Sequence, residues 1–211
     1  MNGLKSFDLP DYQEDDVRLQ AMELSMSLLQ EIVALIAQAV RHASPLEPAN
    51  YRGQKIFGEG QRIVRESLLS LGRHWQTVKK GNDEQTVNTK VGYGLTVKKG
   101  NKWTGILSTV ASQQSRIGKM THEAVEINGQ LSLFPGEEIT IGQRPRWYLL
   151  VYVTADTVRA ELSLPVRANE KAFTAFAHRI IIPTDKLLPV AIPVVQDSPP
   201  IDIPVGIKTT S

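Results

Sequence analysis

Few residues in this chain have the types and spacing that catalysis requires. Metal-dependent nucleases commonly hold an Asp and a Glu on neighbouring strands with a lysine two residues past the second acid, so that the carboxylates bind Mg²⁺ and the ammonium assists the water. Asp156 and Glu161 straddle the right sort of hairpin, but Glu161-Leu162-Ser163 carries no such lysine. Asp156 then reads as a turn former and Glu161 as a solvent-facing strand residue. His122-Glu123-Ala124-Val125-Glu126 opens like the zinc pattern HExxH but ends on Glu, in surroundings that alternate like a strand. The other histidines, His42, His74 and His178, fall in separate predicted elements, and no family signature joins the four. Phe57-Gly58-Glu59-Gly60-Gln61-Arg62-Ile63 places two glycines before a helix, as a phosphate-cradling turn does, yet lacks the third glycine and any GK[ST]. The sequence therefore points to no catalytic residue, metal or cofactor.

Binding chemistry is better represented. The hexapeptide Thr-Val-Lys-Lys-Gly-Asn occurs at Thr77 to Asn82 and again at Thr96 to Asn101. Each Gly-Asn is flanked by β-prone residues, which predicts two hairpins joined at Gly92-Tyr93-Gly94 and a four-stranded meander over 74–107. The first and third turns of a meander share one end of the sheet, so Lys79, Lys80, Lys98, Lys99 and Lys102 should cluster there. Such lysines would contact nucleic-acid phosphates without reading sequence, with Trp75, Tyr93 or Trp103 as a stacking face. Lysines beside a turn also serve to keep sheet edges from aggregating.

Gln130-Leu131-Ser132-Leu133-Phe134 resembles the pentapeptide by which many bacterial replication, repair and mobile-element proteins dock on the sliding clamp. The resemblance implies Gln130 in a small polar subsite, Leu131, Leu133 and Phe134 in an apolar groove, and Pro135-Gly136-Glu137-Glu138 as an exposed exit. It covers five residues of 211. Leu131 and Leu133, at period two, fit a buried strand face equally well.

Composition sets outer limits. With 211 residues, 41% hydrophobic and 22% charged, the chain is ordinary globular material, long enough for a real core. Without cysteine there is no disulfide, thiolate nucleophile, iron–sulfur cluster or cysteine-bound zinc, and a reducing compartment is the easier fit. The net charge of +2 does not by itself indicate nucleic acid. Met1 to Asp16 lacks the pattern of a signal peptide, and the apolar run Ile32 to Ala37 is far too short for a membrane span. The expected location is cytoplasmic.

The elements that must carry these groups begin with a long helix over 13–42. Leu19, Met22, Met26, Leu29, Val33, Ile36 and Val40 are spaced 3, 4, 3, 4, 3 and 4 apart, an a/d seam of coiled-coil type. Leu24, Leu28, Ile32 and Leu35 widen it, so a bundle or a dimer would satisfy it. A second helix over 60–71, ended by Gly72, completes a helical hairpin within 1–72. Residues 108–120 give no clear signal. Strands are expected at 124–127, 147–153, 158–164, 179–182, 190–195 and 201–207, with prolines making 183–211 an extended arm.

The expected fold is α+β: an N-terminal long-helix hairpin followed by an antiparallel β-rich body over 73–211. The expected function is a non-enzymatic accessory or assembly protein, self-associating into a homo-oligomer through the seam and belonging to a DNA-associated complex. Two alternatives are a Mg²⁺-dependent nuclease-like subunit and a purely structural homo-oligomer.

Overall fold

A computed structural model of the chain describes residues 12–42, 46, 48, 51–80, 83–133 and 144–187. The fold is α+β. Three helices, α1 (Tyr12–Ala21), α2 (Met26–Arg41) and α3 (Tyr51–Leu69), precede strands β1 (Trp75–Lys80), β2 (Asp83–Asn88) and β3 (Tyr93–Lys99). Helix α4 (Lys119–Leu133) comes next, then β4 (Arg146–Val153), β5 (Val158–Ala168), β6 (Phe173–Ile182) and a short 3-10 turn (Asp185–Leu187). Among the described residues no single helix is long and apolar enough to cross a membrane.

The expected long helix is two helices bent by 84°. The chain turns at Glu23, a non-glycine residue at φ 57°. The Glu23 N–H donates to the Gln20 carbonyl and the Leu24 N–H to that of Leu19, the paired bonds of a Schellman helix end. Two residues on, the Ser25 hydroxyl accepts the Leu28 N–H and starts α2. A left-handed Glu is unfavourable, and side-chain bonds offset the cost. The Glu23 carboxylate meets His74 Nε2 at 2.6 Å, accepts the Asn88 amide at 3.0 Å and pairs with Lys90.

The seam survives this bend because it serves the protein's own core. Leu19, Met22, Leu29, Val33, Ile36 and Val40 are buried and Met26 is half-buried, packed with Val64 and Leu68 of α3 and with Val97, Leu149 and Ile180 of the sheet. The expected helical hairpin is thus a pair of shorter helices, α2 and α3, preceded by the bent-off α1. Helix α3 starts about nine residues earlier than the sequence suggested and takes in Phe57 to Gly60.

The six strands form one mixed sheet in the order β1-β2-β3-β4-β5-β6. Every neighbouring pair is antiparallel except β3 and β4, which run parallel from Gly94 opposite Arg146 to Lys99 opposite Val151. The expected four-stranded meander therefore stops at three. After Lys99 the Asn101 side chain accepts the Trp103 N–H and the Asn101 carbonyl accepts the Thr104 N–H, a turn that carries the chain out of the sheet. Gly100 bridges Gln113, and 101–118 forms an irregular excursion over one face. The vacated place beside β3 goes to β4, whose run Trp147 to Val151 is buried on both faces, as a central parallel neighbour requires.

Residues 124–127 belong to α4, not to a strand. Thr121, Val125 and Asn128 form its buried face. The Asn128 amide donates to the carbonyls of Arg146 and Pro165 at 2.9 Å each, and its oxygen accepts the Arg146 N–H at 2.8 Å, tying α4 to β4 and β5. One side of the sheet thus packs on α2 and α3, and the other on α4 and the excursion, with a smaller core of Ala111, Val125, Tyr148, Leu150 and Phe173. The expected strands 190–195 and 201–207, and the arm beyond Leu187, lie outside the described residues.

Candidate functional site

The two copies of the lysine repeat finish at the same end of the sheet, since β1 and β3 flank β2 and run in one direction. Their environments differ. β2 opens with Asp83-Glu84, and Lys79 pairs with Glu84 at 3.4 Å. Glu84 also meets Arg65 at 2.6 Å, and the hydrogen bonds from Arg65 and then Lys79 hold its carboxyl below the usual carboxylate range. Asp83 receives both Nη atoms of Arg146 at 2.7 Å. In the first copy Lys79 thus has an acid partner, shared with Arg65, and the Lys80 side chain lies outside the described residues.

The second copy has no such match. Lys98 and Lys99 are half-buried and neither makes an ion pair among the described residues. They close one side of a groove of about 520 Å³. Gly53, Gln54 and Phe57 of α3 form its second side, and Gln114 and Ser115 its third. A Cβ at Gly53 would lie 3.2 Å from Lys99 Cδ, so the lysine stem runs along the first turn of α3. The Lys98 ammonium sits 5.5 Å from the centre of the Phe57 ring. Burial, above all, pushes the Lys98 pKa below the ordinary lysine value, with the Asp83 carboxylate opposing and Arg146 adding to the shift. The Gln114 N–H donates to the Lys99 carbonyl at 2.8 Å and holds the third side in place.

Helix N-termini attract acids, yet the first turn of α3, which forms the second side of the groove, contains none. Beyond the groove, the Lys102 ammonium lies 4.7 Å over the exposed Trp103 ring. Arg179 anchors this excursion by donating to the carbonyls of Ile106 and Thr109 at 3.1 and 2.6 Å. A sequence signal that would have found the region is the absence of any Asp or Glu from Gln85 to His122, a span that holds Lys90, Lys98, Lys99, Lys102, Arg116 and Lys119. The chain's near-neutral total hides it.

The other candidates fall elsewhere. Asp156 is an exposed turn residue, whereas Glu161, expected to face solvent, is wholly buried. Its carboxylate meets Arg179 at 2.7 and 3.1 Å and accepts from Ser163 and the Gly105 N–H, so its oxygens are committed to the fold and not free for Mg²⁺. His122 lies on helix α4 instead of a strand, 3.2 Å from Glu126, and no group of three metal-ligating residues occurs among the described residues. Gly60 sits inside α3, where a Cβ would come within 2.8 Å of Val97 Cγ1; its role is close helix–sheet packing, not a phosphate turn. Trp75 and Tyr93 are buried against each other, edge to face at 5.6 Å, which leaves Trp103 as the exposed aromatic of the three.

The clamp-like pentapeptide is not on a strand. Gln130 is exposed and Leu131 half-buried near the end of α4, while the side chains of Ser132 and Leu133 and all of Phe134 lie outside the described residues. Docking as an extended peptide would require that turn to unwind.

No protein-family model, curated protein or solved structure matches this chain.

Proposed function

We propose that the chain is a non-enzymatic accessory protein of a DNA-associated assembly and that it holds the phosphate backbone with Lys98, Lys99 and Lys102. The observation that carries this reading is the pair of half-buried lysines, without ion pairs among the described residues, on one groove of an acid-free span. Buried cations are ordinarily matched by acids, as Arg146 is by Asp83 and Arg179 by Glu161, so unmatched ones favour an external anion. Phosphates neutralised by lysines release condensed counterions, which gives affinity without sequence readout. The seam within α1 and α2 has no part in this proposal, because its residues are used inside the subunit.

The test is fluorescence anisotropy of labelled DNA with the full chain across a salt series. Affinity should fall steeply with salt, and Lys98→Gln/Lys99→Gln/Lys102→Gln should weaken binding and flatten the log–log slope by about two to three. Absent binding, or binding indifferent to both salt and these substitutions, would sink the proposal.

A further inference from the structure

The groove has a shape and an aromatic wall that phosphate contact alone does not call for. Resting on the reading above, we infer that it seats one nucleotide of a single strand, with the phosphate between Lys98 and Lys99 and the base on the Phe57 ring. At about 520 Å³ the groove falls within the range of small-molecule sites and has room for one nucleotide. Phe57 is 38% exposed and forms part of the wall. The Lys98 ammonium lies over the ring, 5.5 Å from its centre, and in a nucleotide a single sugar separates base from phosphate, so a base can take the ring face as the ammonium moves to the phosphate. Gln54, Gln114 and Ser115 offer donors and acceptors to a sugar or base edge.

Duplex DNA could use the lysines but not the ring, because its bases are already stacked on one another. A single strand presents free base faces, and stacking on an aromatic side chain tolerates any sequence. The arrangement recurs a few residues on, where Lys102 lies over Trp103, itself 43% exposed. Two lysine–aromatic pairs, whose lysines both lie on the acid-free span, suit two nucleotides of one strand. The Lys98 ammonium has lost hydration through burial, and a bound phosphate would restore a counter-charge.

The experiment compares labelled oligo-dT with a blunt duplex of equal length, using the full chain at low salt. The single strand should bind at least about tenfold more tightly. Phe57→Leu should weaken single-strand binding roughly five- to hundredfold while leaving duplex affinity and the salt slope unchanged. Phe57→Tyr, which keeps the ring, should bind like the parent and guards against a folding artefact. Lys98→Gln/Lys99→Gln should weaken binding to both DNAs. Equal affinity for strand and duplex, or indifference to Phe57→Leu, overturns the single-strand inference and leaves the DNA-associated reading standing. Binding to neither DNA overturns both.

Discussion

Arg179 and Glu161 meet between β6 and β5 in a two-pronged ion pair, Nη2 at 2.7 Å and Nε at 3.1 Å from the two carboxylate oxygens. Because Glu161 is wholly buried and Arg179 also holds the carbonyls of Ile106 and Thr109, the pair fastens the segment just past Lys102 and Trp103 to the sheet.

Removing one partner should cost far more than removing both. Arg179→Met leaves a buried carboxylate uncompensated and should lower stability by about 3–5 kcal/mol, read from urea unfolding. Glu161→Leu/Arg179→Met should recover much of that loss. In Arg179→Met, hydrogen exchange should quicken between Gly105 and Thr109 before the sheet is affected. A double variant as unstable as the single one would contradict this account.

Stability should fall with acid in two stages. Burial first, and the Arg18 guanidinium second, keep the His178 pKa below its usual value of 6.5, with Glu14 opposing. His178 stacks on Trp147 at 6.0 Å and lies 3.1 Å from Arg18. The unfolded chain therefore takes up the His178 proton first, and stability drops as pH falls through about 6.5. The second stage belongs to Glu23, whose carboxyl is held below 4.5 by hydrogen bonds from Lys90 and Asn88, together with Glu84, held below 4.5 by Arg65 and Lys79. Their contribution is present above about 4.5 and disappears as pH falls through the lower folded values. Urea midpoints measured from pH 8 to 3 should show both stages, and His178→Gln should erase the first alone.

The heptad seam should behave as core. Ile36→Ala empties a wholly buried site and should cost about 2–5 kcal/mol. Its thermal midpoint, like that of the parent, should not move with protein concentration. A parent midpoint that rises with concentration, together with an Ile36→Ala midpoint that does not, would show that subunits share this surface.

Much of the helical layer was legible because α2 and α3 carry strong apolar periodicity. The break between α1 and α2 was hidden, since the left-handed position that ends α1 is filled by Glu23 where glycine is usual, and the apolar spacing continues across it. Helix α4 was misread because two of its buried positions, Thr121 and Asn128, are polar and leave only Ala124 to Ile127 as a short apolar run. The β1–β2 hairpin, β4 and the start of β5 obeyed their patterns. The second Gly-Asn did not, although its hexapeptide is identical to the first. The residues directly after it, Lys102-Trp103-Thr104-Gly105, compete for the edge of β3 with the continuous apolar run of β4, and the competition is settled by burial far downstream, from Trp147 to Val151.

The candidate site was half legible. Four lysines stood out from the repeat, and Lys102 just after it, but their partners are a matter of register. Only register shows that Lys79 faces Glu84 while Lys98 and Lys99 have no ion-pair partner among the described residues. The Phe57 wall depended on α3 starting at Tyr51, which apolar spacing alone did not reveal.

Strand order matching chain order has a consequence for how the protein is made. Each strand emerging from a ribosome can be laid against the one before it, with a single exception: β4 joins β3 only after the excursion and α4 have been synthesised. Until then the β3 edge from Gly94 to Lys99 stands open beside a nascent chain. Lys98 and Lys99 at the end of that edge place charge where two unfinished chains would otherwise zip together, so the same lysines proposed to hold phosphate in the finished protein would discourage aggregation during its synthesis.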